Sequence, residues 1–160
     1  MDRYYICKFI LDKMIYYCLW HSDTDDFFKI NEDIVYYNSV EDIKKIIKNE
    51  NLIVGEEIAE YDCEKIEKFS KNNILSPNEI LNFWNILMDL SKSLKVNFIG
   101  NDRTKKIDKI YAKLFYGCNL PAITPENEEY IPVWTKKEIR KIKEIIENGL
   151  FILRNVFVLK

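Results

Sequence analysis

The chain has 160 residues, of which 48% are hydrophobic, 31% charged and 14% aromatic, and its formal net charge at pH 7 is −2. This composition excludes a disordered chain, and the length fits a single domain, residues 1–160, because a chain of this size buries roughly two-thirds of its surface on folding. The small net charge and the pI near 5.6 argue against direct binding of nucleic acid, which needs a concentrated basic surface.

The first predicted element is a β-hairpin. Two segments rich in β-forming residues, YYICKFIL (4–11) and MIYYCLW (14–20), flank the dipeptide Asp12-Lys13, which is typical of a short hairpin loop. A loop of two residues sets Cys7 directly opposite Cys18. Because both segments are almost uniformly apolar, we expect the hairpin to lie centrally, covered by helices on at least one side.

A second short hairpin and two helices are predicted to follow. The segment FFKINEDIVYYNS (27–39) fits a hairpin whose turn lies at residues 31–33. Ser39 and Asp62 each occupy the predicted N-cap of a helix, and a strand near residues 58–61 precedes the second of these helices.

The clearest helix begins at SPNE, where Ser76 is the predicted N-cap, Pro77 the first helical residue and Glu79 the partner in a capping box. It should extend to about Leu94. Its apolar positions cover more than half of the helix circumference, so we expect it to be among the most buried helices. A polar loop and then a helix or irregular segment, IDKIYAKLFY (107–116), come next.

The last predicted helix carries the same signals, with Thr135 as N-cap and Glu138 completing the capping box. Gly149 is predicted to end this helix in the left-handed conformation, and LFILRNVFVL (150–159) to form a closing strand. The predicted architecture is an α+β fold, in which helices pack against a small and mainly antiparallel sheet.

Between the last two helices lies YGCNLPAITPENEEYIPVW (116–134), which holds three of the four prolines. Proline has a fixed φ and no N–H donor, so this stretch is neither helix nor central strand, and we expect a rigid loop. Its large apolar side chains either pack against the domain's own core or recognise a partner, and both interpretations stay open. These side chains are Leu120, Ile123, Tyr130, Ile131, Val133 and Trp134.

The sequence predicts a cytoplasmic protein without a membrane-spanning segment. The chain begins without a targeting signal, and charged residues interrupt each apolar run well before the roughly 20 residues that a span needs. The four cysteines, Cys7, Cys18, Cys63 and Cys118, include no C-x-x-C pair, which disfavours a zinc site and a disulfide scaffold. We expect reduced and mostly buried thiols.

Few residues carry recognisable catalytic chemistry. The one histidine, His21, is a candidate general base, but its spacing assigns it no serine or cysteine partner. Asp23, Asp25 and Asp26 form either a solvated acidic turn or an acidic patch for a basic partner. The isolated glycines form no phosphate-binding motif, so no cofactor and no metal is expected.

Charge is distributed unevenly along the chain. Residues 1–67 hold 8 basic and 16 acidic side chains, whereas residues 68–160 hold 16 basic and 10 acidic ones. Acidic side chains can raise the rate of association with a basic partner. Together with the aromatic surplus and the lack of a catalytic motif, this asymmetry favours a protein whose work is binding.

Several segments resemble bacterial immunity proteins of contact-dependent growth inhibition and related polymorphic toxin systems. The most specific is KLFYGCNLPAITPENEEYIPVW (113–134), and others are CLWHSDTDDFF (18–28), NEILNFWNILMDLSKSL (78–94) and ENGLFIL (147–153). The resemblance implies a cytosolic, non-enzymatic protein that binds one cognate toxin domain, commonly a nuclease, and blocks its active site or substrate path.

No toxin-binding residue can be assigned by motif, so the candidate site rests on physical grounds. Aromatic anchors dominate such interfaces, while charges at the rim mainly set the association rate. Two alternatives stay open: a small hydrolase that uses His21 with the nearby aspartates, and a non-enzymatic adaptor for another protein. The candidate toxin-binding residues are Trp20, Asp23, Asp25, Asp26, Glu56, Glu57, Glu60 and Trp134.

Overall fold

A computed structural model describes residues 3–72 and 76–157. This part of the chain has the predicted α+β fold, with five strands, five α-helices and a short 3-10 helix at Ile99–Asn101. The strands are β1 (Tyr4–Leu11), β2 (Met14–His21), β3 (Lys29–Ile30), β4 (Asp33–Ile34) and β5 (Val54–Asp62). The helices are α1 (Val40–Asn49), α2 (Cys63–Asn72), α3 (Pro77–Leu94), α4 (Lys105–Gly117) and α5 (Lys136–Val156).

The first hairpin has the predicted register. β1 and β2 pair antiparallel, and Cys7 lies opposite Cys18. The two loop residues, Asp12 and Lys13, have positive φ angles of 50° and 65°, the backbone twist that a two-residue hairpin loop requires. All four cysteines are free thiols. The second predicted hairpin also forms, as β3 and β4.

The main sheet is mixed, in the order β2-β1-β5. The central strand, β1, is antiparallel to β2, as predicted, and parallel to β5. β5 is longer than the predicted segment 58–61 and covers nine residues. Within the described residues, the outer edge of β5 has no strand partner.

Helices cover both faces of the sheet. On one face, Ile6 and Leu19 pack with Ile43 of α1. On the other face, Phe9 and Cys18 join the larger core that α2, α3, α4 and α5 supply. Half of the 18 residues of α3 are buried, which agrees with the prediction for this helix. None of the described helices is long and apolar enough to cross a membrane.

Helix capping agrees with the sequence at α1 and α5 but not at α3. The hydroxyl of Ser39 accepts from the backbone of α1, and the predicted capping box at Thr135 forms. Ser76 is the N-cap of α3, yet its side chain makes no capping hydrogen bond. The capping box predicted there is wrong because Glu79 bonds instead to Nζ of Lys65 in α2, at 2.7 Å.

The predicted closing strand after Gly149 is also wrong. Gly149 does not have a positive φ, and α5 continues through it to Val156. A Cβ atom at Gly149 would lie 2.9 Å from Cε1 of Phe83 and 3.1 Å from Cγ of Leu87, so this glycine permits the close approach of α5 to α3. Leu150 and Leu153 extend the buried stripe of α5. Residues 158 and 159 of the predicted strand lie outside the described residues.

The end of α5 covers the first hairpin. Arg154 donates two hydrogen bonds to the carboxylate of Asp12, at 2.8 and 2.9 Å, and a third to Glu67 at 3.0 Å. The ring of Phe157, just after the helix, stacks on Tyr16 with centroids 4.3 Å apart. The first and last described elements of the chain are thereby joined.

Candidate binding site

A cleft of about 390 Å³ lies between the β5 side of the sheet and α3. Tyr5 and Trp20 of the hairpin and Glu57 of β5 line the cleft opposite α3. Tyr5 and Trp20 are direct partners across the hairpin. Tyr61 of β5 and Asp89 of α3 also line the cleft.

Trp20 and Asp89 meet inside this cleft. Nε1 of Trp20 donates a hydrogen bond of 3.1 Å to Oδ2 of Asp89, across a sequence separation of 69 residues. Burial raises the pKa of Asp89 to about 6, and the nearby carboxylate of Asp25 adds to this rise, while the indole hydrogen bond and Lys92 oppose it. Asp89 is therefore a partly buried acid beside further negative charge.

The acidic turn after β2 is attached to the end of α3. Nζ of Lys92 donates to the carbonyl of Thr24 at 2.9 Å and lies 3.9 Å from the carboxylate of Asp26. The backbone N–H of Phe27 donates to the hydroxyl of Ser93 at 3.0 Å. These contacts hold the turn next to the cleft.

The predicted toxin-binding residues thus fall into groups. Trp20 and Glu57 line the cleft, and Asp25 and Asp26 lie close enough to raise the pKa of Asp89. Asp23 belongs to the same turn and is exposed.

The other three predicted residues lie outside the cleft. Glu60 forms an ion pair of 3.2 Å with Lys8 and lines a neighbouring depression. Glu56 is exposed and is not among the residues that line the cleft. Trp134 lies beside Lys113 of α4. The acidic face with Trp20 is consequently one candidate site, and Trp134 belongs to a second region.

His21 contacts residues of the acidic turn. Its Nδ1 accepts from the backbone N–H of Thr24 at 3.3 Å and lies 3.1 Å from the hydroxyl of that residue, and its ring packs edge-on against Tyr4, with centroids 4.7 Å apart. The hydroxyl of Ser22 donates to the carbonyl of Arg3 at 2.9 Å. Within the described residues, no group of three His, Cys, Asp or Glu side chains could hold a metal ion.

The predicted loop 116–134 begins later than expected, because its first two residues, Tyr116 and Gly117, form the end of α4. The rest of it, residues 118–134, contains neither helix nor strand. Asn119 joins its two ends: the side-chain Nδ2 donates to the carbonyl of Tyr130 at 2.9 Å, and the N–H of Tyr130 donates back to Oδ1 at 2.7 Å. Five of its six large apolar side chains are exposed, Ile131 by 74% and Val133 by 81%. Most of this apolar surface is thus not used by the domain's own core.

Lys113 supports the second half of this loop. Its Nζ donates to the carbonyl of Val133 and to Oε1 of Glu138, both at 2.8 Å, and lies 5.4 Å from the ring centroid of Trp134. Burial would raise the pKa of Glu138, but the hydrogen bonds from Lys113 and from the backbone of Thr135 outweigh burial, and that pKa is lowered. Glu138 is both a capping residue and the counterion of Lys113.

Sequence reasoning missed the central residue of the cleft, Asp89, although one signal could have found it. Asp89 is the single charged residue between Glu79 and Lys92, in the most apolar helix of the chain. An acid in such a segment rarely remains there without a partner or a function. Its contact with Trp20 depends on the tertiary fold and leaves no mark in local sequence.

No protein-family model, curated protein or solved structure matches the chain.

Proposed function

We propose that the protein is an immunity protein, which binds one cognate toxin domain in the cytoplasm and neutralises it by covering its active site. The observation that carries this proposal is the acidic cleft, where Trp20 and Glu57 lie together with the turn that holds Asp25 and Asp26. The sequence resemblance supports a toxin as the partner.

The charge of this face suits a nuclease toxin. A nuclease must hold the phosphate backbone of its substrate and therefore carries a basic surface. Acidic side chains can attract such a domain from a distance. A neighbouring aromatic side chain can then serve as the anchor of the interface, from which water is excluded. In this view the protein acts by occupying surface that the substrate would use, and makes or breaks no bond itself.

Co-expression tests the proposal. The partner to use is the C-terminal domain of the protein encoded immediately upstream, and we expect cells to survive its expression and a stable complex to co-purify. The double variant Asp25→Lys with Glu57→Lys should lose both protection and complex. A matched variant with the same change of charge away from the cleft, Glu41→Lys with Glu147→Lys, should retain them.

Failure to bind any toxin domain encoded beside the gene would contradict the proposal. The variant His21→Ala bears on the hydrolase alternative. A binding protein should protect cells as well with His21→Ala as without it, whereas a hydrolase that depends on His21 would lose its turnover.

A further inference from the structure

The cleft between Trp20 and Asp89 has the chemistry of a receptor for one cationic side chain. We propose that it binds an arginine side chain of the protein partner, with the guanidinium stacked on the aromatic wall and its N–H groups donating to the carboxylate of Asp89. The inference rests on the proposed function, since it names the group by which that partner is held.

The aromatic wall is the first part of the argument. The rings of Tyr5 and Trp20 lie side by side, with centroids 6.2 Å apart and planes inclined by 39°, and Tyr61 lines the same cleft. Arginine stacks its planar guanidinium on aromatic rings, and Trp is the best ring for a cation. The volume of about 390 Å³ lies within the range of ligand pockets.

The second part of the argument is that the carboxylate of Asp89 has no ion-pair partner among the described residues. Within the described residues, the hydrogen bond to Asp89 comes from Trp20, and no lysine or arginine forms an ion pair with it. Lys92 is already bonded to Thr24 and lies near Asp26. Burial together with the charge of Asp25 keeps the pKa of Asp89 raised. A cation that enters the cleft would offset the negative charge of Asp89. The ionised carboxylate and the bound cation would therefore stabilise each other.

The remaining polar groups favour arginine over lysine. Glu57 and the side-chain amide of Asn82 lie around the cleft, whereas Oδ1 of Asn85 already accepts from the hydroxyl of Tyr111 at 2.7 Å. Glu57 and Asn82 therefore offer hydrogen-bond acceptors in addition to Asp89. Arginine presents five N–H donors in one plane, while the lysine ammonium is a compact and strongly hydrated charge.

Short peptides test this directly with the full chain. The probe is an acetylated and amidated Gly-Arg-Gly peptide, compared with the same peptide carrying citrulline, which has a similar shape without the charge. The readout is the NMR signal of the Trp20 indole N–H, identified by its loss in Trp20→Phe. We expect a saturable shift with arginine and at least about threefold weaker binding of the lysine peptide, and citrulline should bind about tenfold more weakly or not at all.

Asp89→Asn is the central variant, because an amide keeps the shape and can still accept the indole hydrogen bond. It should weaken binding of the arginine peptide about tenfold, and Glu57→Gln should weaken it less. Asp102→Asn, an exposed aspartate outside the cleft, should leave binding unchanged. Equal shifts from arginine and citrulline would overturn the proposal, as would equal binding of lysine and arginine or unchanged binding by Asp89→Asn.

The outcome can be separated from that of the proposed function. If the arginine peptide binds while no toxin domain does, the cleft is confirmed and the immunity function is wrong. If a toxin domain binds equally well to the wild type and to Asp89→Asn, and the peptide does not bind, the function stands and the arginine site is wrong.

Discussion

Asp89 makes the stability of the folded protein depend on pH. Its pKa rises from 3.8 to about 6 in the folded state, so the folded protein holds this proton more tightly than the unfolded chain does. The stabilisation that comes from the protonated acid is complete below about pH 4 and is lost as the pH rises through about 6. The cause is mainly the burial of the carboxylate beside Trp20.

Replacement of Asp89 by asparagine should remove the part of the pH dependence of stability that comes from this acid. We expect Asp89→Asn to melt at a higher temperature than the wild type at about pH 8, and the difference to shrink toward pH 4. Thermal unfolding followed by circular dichroism measures it. The variant Asp102→Asn is the control for an Asp-to-Asn change at an exposed position. If the melting temperature of Asp89→Asn differed from that of the wild type by the same amount from about pH 4 to about pH 8, the raised pKa of Asp89 would be contradicted.

Lys113 is a second residue whose replacement should change stability, in this case by lowering it. The Lys113→Met variant keeps the length of the side chain but leaves the buried carboxylate of Glu138 without its cation, and should lower the free energy of unfolding by about 2–3 kcal/mol. Lys109 lies in the same helix and is exposed, so Lys109→Met should lower the free energy of unfolding by less than about 0.5 kcal/mol. Urea denaturation compares them, and equal losses would exclude a structural role for the Lys113 contacts.

At the level of elements, the contact between α3 and α5 depends on one glycine. Alanine at position 149 would favour the helix intrinsically, but its Cβ would lie 2.9 Å from the ring of Phe83. Because this contact is buried, we expect Gly149→Ala to destabilise the protein by about 1–3 kcal/mol. Glu147→Ala, at an exposed position of the same helix, should be neutral or slightly stabilising. A stabilised Gly149→Ala would show that the two helices can move apart without loss.

The segment after Gly149 shows which parts of the fold could not be predicted from the sequence. The register of the first hairpin was predictable because a two-residue loop fixes it locally. The segment after Gly149 has many β-branched and aromatic residues, and these favour a strand in isolation. It is helical because its apolar side chains, spaced as on one helix face, pack into the core, and tertiary packing overrides such weak local preferences.

The candidate site was predictable only in part for a related reason. Trp20 and Glu57 could be chosen from their residue type, but the pairing of β5 with β1 is parallel and joins residues about 50 positions apart. Pairing of this kind is set by packing of the whole domain and not by a turn. The acidic cleft exists only after that pairing and the docking of α3 have taken place.

For the whole molecule, the consequence to test is electrostatic attraction of the partner. With the proposed toxin partner, the triple variant Asp25→Asn, Asp26→Asn, Glu57→Gln should slow association about tenfold at low salt, and the difference should largely disappear at high salt. Stopped-flow fluorescence measures the rate. The control is a second triple variant, Glu41→Gln, Glu50→Gln, Glu147→Gln, which removes the same amount of charge elsewhere. It should change the association rate only slightly. If both triples slowed association equally, net charge and not this face would set the rate.

The contact between α5 and the first hairpin joins segments that are synthesised far apart in time. The hairpin leaves the ribosome early, while Arg154 and Phe157, which hold Asp12 and cover Tyr16, are translated more than 130 residues later. Helices α2, α3 and α4 can cover part of its apolar face before then. The packing around Asp12 and Tyr16 is complete only after residue 157 has been synthesised.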